Sequence, residues 1–372
     1  MSPPIKVLVV DDANFLRKNL PPLLESAGDI KVVGAAATGY EGVELAKKLR
    51  PDVITLDVVM PAMGGLEALK IIMREVPTPV VMISSKTYHG AAETVEALTL
   101  GAVDYIPKPS GQVSLDIAKI REEIITKVRN ASRARVKSIM PPSKSMSSRF
   151  TTLSQQLKTG FREPEPKKRK GRETDGRQGP PVKIIGIAAS TGGPMALQKI
   201  FSALPAEFPI PICVVQHIGP EFVPHMINRF DSLSNLTIKA AEDGETLEPG
   251  TVYFSPRQEH LTLVKKGEIP VIRLQNEPSQ ILYRPSGNEL LWSLGTSFGP
   301  GEVCGIVLTG MGDDGAQGLK RILESGGHTI VQDEKTCVVF GMPKMAIAAG
   351  GAREILSLDE IINRMMELAC SN

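Results

Sequence analysis

The sequence predicts an α/β protein: two doubly wound, mainly parallel-sheet, three-layer domains joined by a flexible linker. Three observations predict it. The chain has 372 residues, more than one hydrophobic core ordinarily serves. Short β-branched runs alternate with helix-length amphipathic stretches twice along the chain. Between the two series, at about 136–181, the pattern dissolves into Pro, Ser and charge, which buries too little apolar surface to fold alone. The expected boundaries are 1–128, then a basic linker over 129–181 whose first part can extend the preceding helix, then 182–372.

In the first domain "IKVLVV", "IKVVGAA", "DVITLD", "TPVVMIS" and "VDYIPK" read as five strands. Stretches such as "GYEGVELAKKLR" and "GGLEALKIIMREV" read as the helices between them. Near-continuous apolar strands joined by helices imply a parallel sheet covered on both faces. "LDIAKIREEIITKVRNASRARV" reads as a long final helix, and "LSQQLKTGF" in the linker as a transient helical turn. The second domain restarts the alternation with "VKIIGIAAS", "PICVVQHI", "TVYFSP", "LTLVKK", "GEVCGIVLT" and "HTIVQ" as strands, and with hairpin-like pieces around 251–274. "GPMALQKIFSAL" and "QGLKRILES" read as helices.

Hydrophobic residues make up 42% and charged residues 23%, the balance of a soluble globular protein. The net charge of +2 hides an asymmetry, because residues 131–180 hold thirteen Lys/Arg against four Asp/Glu. The basic character therefore belongs to the linker. Its "KKRKGR" run can attract phosphates, but no helix-turn-helix pattern accompanies it and aromatics are only 4%. Solvated linker charge is the expectation, with no nucleic-acid partner. Cys213, Cys304, Cys337 and Cys370 form no C-x-x-C pair, which argues against a zinc site and fits a reducing compartment. "MSPPIKVLVVDD" runs straight into a strand and does not read as a signal peptide. No apolar run approaches the roughly 20 residues a bilayer span needs. A cytoplasmic protein without direct membrane insertion is expected.

Strand ends carry the chemistry in doubly wound sheets. In the first domain Asp11 and Asp12 end the first strand, Asp57 the third, Ser84 the fourth and Lys108 the fifth. Converging carboxylates repel unless a hard cation shares them, and Mg²⁺ takes such oxygen ligands. Cation, hydroxyl, ammonium and central carboxylate together suit phosphoryl transfer onto that carboxylate.

Residues 5–125, with "VVDD", "LDVVMPAMGG", "MISS" and "DYIPKP" in order, resemble a response-regulator receiver domain. The resemblance implies Asp57 as phospho-acceptor, with Asp12 and Asp57 binding Mg²⁺ directly and Asp11 through water. It also implies the Val59 carbonyl as a further ligand, Ser84 and Lys108 as phosphoryl contacts, and Tyr105 as an aromatic switch. Val59 is apolar where related proteins often carry a polar side chain, which bears on the dephosphorylation rate.

The second domain poses a different problem. "GIAASTGGP" at 186–194 is a small-residue turn between a strand and a helix, suited either to cradling a phosphate or to presenting Ser190 as a nucleophile. No G-K-[ST] follows Ser190, and Ala188 stands where a strict G-x-S-x-G elbow has glycine. A serine nucleophile needs a base and an orienting acid. His217 ends the next buried strand, and Asp313 and Asp314 lie in the glycine-rich turn of "IVLTGMGDDGAQG". Ser, His and Asp at three strand ends suggest acyl transfer, the hydrolysis of an ester or amide.

"GIAASTGGP", "VVQHI", "LTGMGDDGAQG" and "VVFGMPKMAIAAGG" together resemble the catalytic domain of chemotaxis protein-glutamate methylesterases of the CheB type. The resemblance implies Ser190 as nucleophile, His217 as base and Asp314 as acid. Thr191 would lie beside the nucleophile, and the Met311 backbone N–H would donate to the oxyanion. Its implied substrates are glutamate γ-methyl esters on methyl-accepting chemotaxis receptors, with deamidation of receptor glutamines as a second activity. A chemotaxis histidine kinase would be the phosphodonor. Mg²⁺ would serve phosphorylation in the receiver, and ester hydrolysis would need no cofactor. "YRPSGNELL" at 283–291 departs from the family's His-Arg-Pro-Ser-Val-Asp stretch at Tyr283 and Asn288, and "SPRQEHL" at 255–261 lacks glycines usual there. Both departures are expected to alter receptor-groove contacts. His260 is read as structural or substrate-adjacent, His225 and His328 as structural, and His89 as a loop residue.

A phosphorylatable domain joined to a hydrolase implies regulation: the unphosphorylated receiver packs over the Ser190 pocket, and phosphorylation at Asp57 favours an open arrangement. The rival reading is a receiver-controlled binding or scaffold protein with a silent hydrolase domain, and behind it a DNA-binding regulator with a receiver input.

Overall fold

The computed structural model describes residues 3–84, 88–108, 113–136, 180–267 and 269–370. The linker's basic run, its "LSQQLKTGF" stretch and the side chain of His89 lie outside what is described.

The first domain runs β1 (Ile5–Val10), α1 (Asn14–Glu25), β2 (Ile30–Ala36), α2 (Gly39–Leu49), β3 (Val53–Asp57), α3 (Gly65–Glu75), β4 (Val80–Ser84), α4 (Tyr88–Thr99), β5 (Asp104–Pro107) and α5 (Val113–Ala131). The five strands form a parallel sheet in the order β2-β1-β3-β4-β5. Side chains alternate across a strand, so Leu8 and Val10 join one core with Ile54 and Leu56. Val7 and Val9 join the opposite core with Val53 and Val81. Both faces are covered, which explains the uninterrupted apolar runs; each such side chain contributes about 1.5–3 kcal/mol by burial. Helix α5 ends at Ala131, five residues before the end of the run read as helix.

The second domain runs β6 (Ile184–Ala189), α6 (Gly193–Ala203), β7 (Ile212–Gln216), α7 (Val223–Leu233), β8 (Thr237–Ala240), β9 (Thr251–Phe254), β10 (His260–Lys266) and β11 (Ile269–Gln275). It continues with α8 (Gly287–Ser297), β12 (Val303–Val307), α9 (Ala316–Glu324), β13 (His328–Gln332), α10 (Met342–Ala348), β14 (Glu354–Leu356) and α11 (Leu358–Cys370). Seven strands form a parallel sheet ordered β14-β13-β12-β6-β7-β9-β8. Strands β10 and β11 form a separate antiparallel hairpin, His260 facing Gln275, that packs on α8. Chain order reverses on either side of β6, between β7 and β12, and the carboxyl ends of these three strands hold the site. Sequence reading missed β8 and β14. Both are short edge strands whose residues are mostly half-exposed, so neither carries an apolar run.

The two domains pack together. Helix α4 lies against α6 and α7, and its Ala91 and Val95 join the second domain's core. The Arg135 backbone N–H donates to the Val338 carbonyl at 3.0 Å, and its guanidinium pairs with Glu334 at 2.8 Å. Arg229 Nε donates to Thr99 Oγ1 at 2.9 Å.

Candidate active site

In the first domain Asp11, Asp12 and Asp57 each bring a carboxylate oxygen within 4.8 Å of the others. Asp11 and Asp57 are buried and Asp12 is exposed. Lys108 Nζ donates to Asp57 Oδ2 at 2.6 Å and stands 3.6 Å from Asp11 Oδ2. Burial pushes the Asp57 carboxyl up to about 6, against the opposing pull of Lys108, and the neighbouring Asp11 adds to the rise. Burial raises Asp11 as well. One ammonium thus faces three carboxylates, and among the described residues the buried Asp11 Oδ2 has no hydrogen-bond donor. An orphaned hard oxygen amid excess negative charge fits a divalent cation such as Mg²⁺. Ser84 Oγ donates to the Gly90 carbonyl at 3.0 Å and accepts from Thr94 Oγ1 at 2.6 Å, so the fourth strand's hydroxyl is held by α4. The Val59 side chain is exposed, and its N–H donates to Asp57 Oδ1 at 3.3 Å.

Tyr105 does not face these carboxylates. Its ring packs on Phe222 of the second domain, with centroids 4.4 Å apart, and its hydroxyl accepts from the Gly219 N–H at 2.9 Å. Lys127 Nζ lies 4.6 Å from the ring centroid and donates to the Tyr105 carbonyl at 2.6 Å.

In the second domain Ser190 follows β6 in a turn tied down on several sides. Its N–H donates to the Thr309 carbonyl at 3.1 Å, and its carbonyl accepts from Gly193 N at 2.7 Å and from Gln216 Nε2 at 2.9 Å. Thr309 Oγ1 donates to the Thr191 carbonyl at 2.9 Å. Gly192 turns the chain with φ of 78°, and a Cβ there would lie 2.5 Å from the Val338 Cβ. Only glycine meets both demands.

His217 follows β7 directly, and its Nε2–H donates to Asp314 Oδ2 at 2.8 Å. That leaves Nδ1 as the nitrogen available to a serine proton. Asp314 is buried and collects further donors: Ser286 Oγ at 2.9 Å, and the backbone N–H groups of Gly287 at 2.6 Å, Asn288 at 2.8 Å and Gly315 at 3.0 Å. Burial works to raise its carboxyl, but His217 and the backbone donors outweigh that and hold it below the ordinary aspartate value. Asp313 makes no such set of bonds. Of the two adjacent aspartates, Asp314 is the one paired with the histidine.

Ser190, Thr191, His217 and Met311 line one cleft. Among the described residues the Met311 backbone N–H has no acceptor in the chain, and the Ser190 hydroxyl makes no hydrogen bond with the His217 ring. The other wall comes from the first domain: Leu98, Val103, Asp104, Tyr105 and Lys127. The first domain thus forms part of the pocket that contains the candidate nucleophile.

The "YRPSGN" stretch adjoins the acid. Ser286, Gly287 and Asn288 grip the acid, and Asn288 Oδ1 accepts from Gln317 N at 3.0 Å and Gly318 N at 2.9 Å, fixing the start of α9. His260 is buried and structural: it accepts from Ser286 N at 3.1 Å and donates to the Pro278 carbonyl at 3.2 Å. The sequence signal for this set was weak, because its donors are mostly backbone groups.

Comparison with known proteins decides the family. A model described as CheB methylesterase matches residues 185–365, and one described as response regulator receiver domain matches 7–119. A protein-glutamate methylesterase/protein-glutamine glutaminase of Lawsonia intracellularis is 40% identical over 362 residues, covering 97% of this chain and 98% of the relative. The chain belongs to the CheB methylesterase family. A relative of the same name from Pyrococcus abyssi is 40% identical over 358 residues, covering 96% of this chain and 91% of its own. Among solved structures, the Thermotoga maritima CheB methylesterase catalytic domain is 40% identical, covers 50% of this chain and 98% of its own, and gives a TM-score of 0.49. The response regulator domain of Thermotoga maritima CheB is 50% identical, covers 36% of this chain and 98% of its own, and gives 0.34. No helix among the described residues is long and apolar enough to cross a membrane.

Proposed function

We propose that this chain hydrolyses glutamate γ-methyl esters on methyl-accepting chemotaxis receptors, through Ser190, His217 and Asp314, under control of phosphorylation at Asp57. The observation that carries the reading is the 2.8 Å bond between His217 and a buried Asp314, in a cleft that also holds Ser190. Five donors fix the carboxylate, so the imidazole is oriented before substrate arrives.

His217 Nδ1 takes the Ser190 proton as Oγ attacks the ester carbonyl. The carbonyl oxygen becomes an oxyanion, met by the free Met311 N–H. Collapse expels methanol, which takes the proton back from the imidazolium, and leaves an acyl-Ser190. Water, deprotonated by His217, then releases the glutamate and restores the serine. On a receptor glutamine the same attack expels ammonia, consistent with the glutaminase in the relatives' name. A chain in which Ser190→Ala releases no methanol from methylated receptor membranes, while wild type does, supports the reading; equal release by both contradicts it.

In the receiver, Asp12, Asp57 and the Val59 carbonyl would hold Mg²⁺ directly and Asp11 through water; the ion would neutralise phosphoryl oxygen charge. Ser84 and Lys108 are suited to bind phosphoryl oxygens, and a chemotaxis histidine kinase is the proposed donor. The regulatory reading draws support from the cleft wall supplied by Leu98, Asp104, Tyr105 and Lys127. A receiver in that position is suited to restrict the approach of a receptor helix to Ser190. Phosphorylation would favour an arrangement in which that wall departs; a tenfold activation requires about 1.4 kcal/mol of differential stabilisation. An isolated 182–372 fragment no faster than the unphosphorylated full chain would contradict inhibition by the receiver.

A further inference from the structure

Tyr283 takes no part in the chemistry described above, yet it touches its centre. Its ring is parallel to the His217 imidazole within 3°, with centroids 5.0 Å apart. One hydrogen bond, from Nε2 to Asp314, fixes an edge of the imidazole and still lets the ring tilt about that bond. A flat neighbour on its face removes that freedom.

Tyr283 is also well placed to stay where it is. Arg284 Nη2 donates to Asn276 Oδ1 at 3.0 Å, and Ser286 N donates to the buried His260 at 3.1 Å. The phenolic oxygen reaches the turn beyond Met311: a Cβ on Gly312 would lie 2.0 Å from it, and Gly312 has φ of 89°. Glycine at 312 therefore admits the phenol and permits the turn. The segment that grips Asp314 through Ser286, Gly287 and Asn288 thus also presents a ring to His217.

We propose that Tyr283 is a positioning residue for the base: its ring face holds the His217 imidazole in the plane that connects Asp314 with the Ser190 cleft. The proposal rests on the reading of Ser190, His217 and Asp314 as a hydrolytic triad. It requires a flat side chain at position 283 rather than a hydroxyl.

The test compares full-length wild type, Tyr283→Phe and Tyr283→Leu. Methanol release from methylated receptor membranes gives kcat and KM, and ¹³C-histidine labelling gives the His217 ring-proton shifts. Misplacing a catalytic group by about 1 Å costs on the order of 100-fold, so Tyr283→Leu is expected to lose at least about tenfold in kcat with KM unchanged. Tyr283→Phe is expected to stay within about threefold of wild type, because it keeps the ring. The His217 ring protons, shielded by the stacked ring, should move downfield in Tyr283→Leu and stay in place in Tyr283→Phe. Should Tyr283→Leu fail to fold, Tyr283→Met gives the same readouts. Unchanged kcat in the aliphatic variant overturns the proposal; so does a rise in KM alone, or an equal loss in the phenylalanine variant. If wild type itself releases no methanol, the functional reading fails and the ring-proton shifts still decide whether Tyr283 holds His217.

Discussion

The hydroxyl of Tyr105, on the last strand of the receiver, accepts a hydrogen bond at 2.9 Å from the backbone N–H of Gly219, two residues beyond His217. The residue that the receiver resemblance marks as its switch is therefore seated on the catalytic domain beside the candidate base. Burial pushes the phenol up to about 12, so it remains protonated throughout the working range.

Tyr105→Ala removes this hydrogen bond and the packing on Phe222. It is expected to raise the unphosphorylated rate of methanol release about tenfold, corresponding to about 1.4 kcal/mol taken from the closed arrangement. An unchanged rate would separate Tyr105 from the control of access.

Chelating divalent cations is expected to abolish stimulation by a small phosphodonor while leaving unstimulated hydrolysis intact. The carboxylates suited to a cation lie in the receiver, around Asp11 and Asp57, and the Ser190 cleft has no comparable cluster among the described residues. Methanol release with and without EDTA, in the presence and absence of the donor, measures both halves.

Ser286→Ala removes a hydrogen bond to a buried carboxylate and the side-chain cap that Glu289 N donates to at the start of α8. A charge-assisted bond is worth about 1.5–3 kcal/mol and a cap about 1. The variant is expected to lose about tenfold or more in kcat and a few degrees in Tm, read by steady-state kinetics and thermal denaturation. The backbone donors from Gly287, Asn288 and Gly315 remain, so the loss should be smaller than that of Asp314→Asn.

Burial, reinforced by the charges of Arg364 and Arg353, lowers the His328 imidazole below its ordinary value of 6.5. The folded chain therefore binds this proton less readily than the unfolded chain. Its contribution to stability is complete above 6.5 and is lost as pH falls from there through the lower folded value. His328→Gln is expected to flatten that part of the Tm–pH curve, and an identical curve would remove His328 from the account.

Much of this was legible in the sequence because strand ends are. Uninterrupted apolar runs located β1, β3, β6 and β7, and a polar residue closing each run was the candidate: Asp11, Asp57, Ser190, His217. Asp314 was harder, since two aspartates adjoin in a glycine turn and spacing alone does not separate them; the His217 bond does. Other features had no local signature. The grip on Asp314 is built from backbone N–H groups of Gly287, Asn288 and Gly315, which any residue supplies. The stacking of Tyr283 on His217 joins positions 66 residues apart. Packing of the receiver over the Ser190 pocket was expected, but no residue pattern marks Tyr105 and Gly219 as the contact, and the edge strands β8 and β14 lack an apolar run.

In the proposed function one chain couples a phosphorylatable carboxylate, Asp57, to a serine hydrolase site at Ser190. Methanol release from methylated receptor membranes tests it most directly, measured for wild type, Asp57→Asn and Ser190→Ala, each with and without Mg²⁺ and a small phosphodonor. Release by wild type is expected to rise with the donor, release by Asp57→Asn not to respond to it, and Ser190→Ala to release none. Stimulation that survives in Asp57→Asn, or release that survives in Ser190→Ala, would contradict the proposed function.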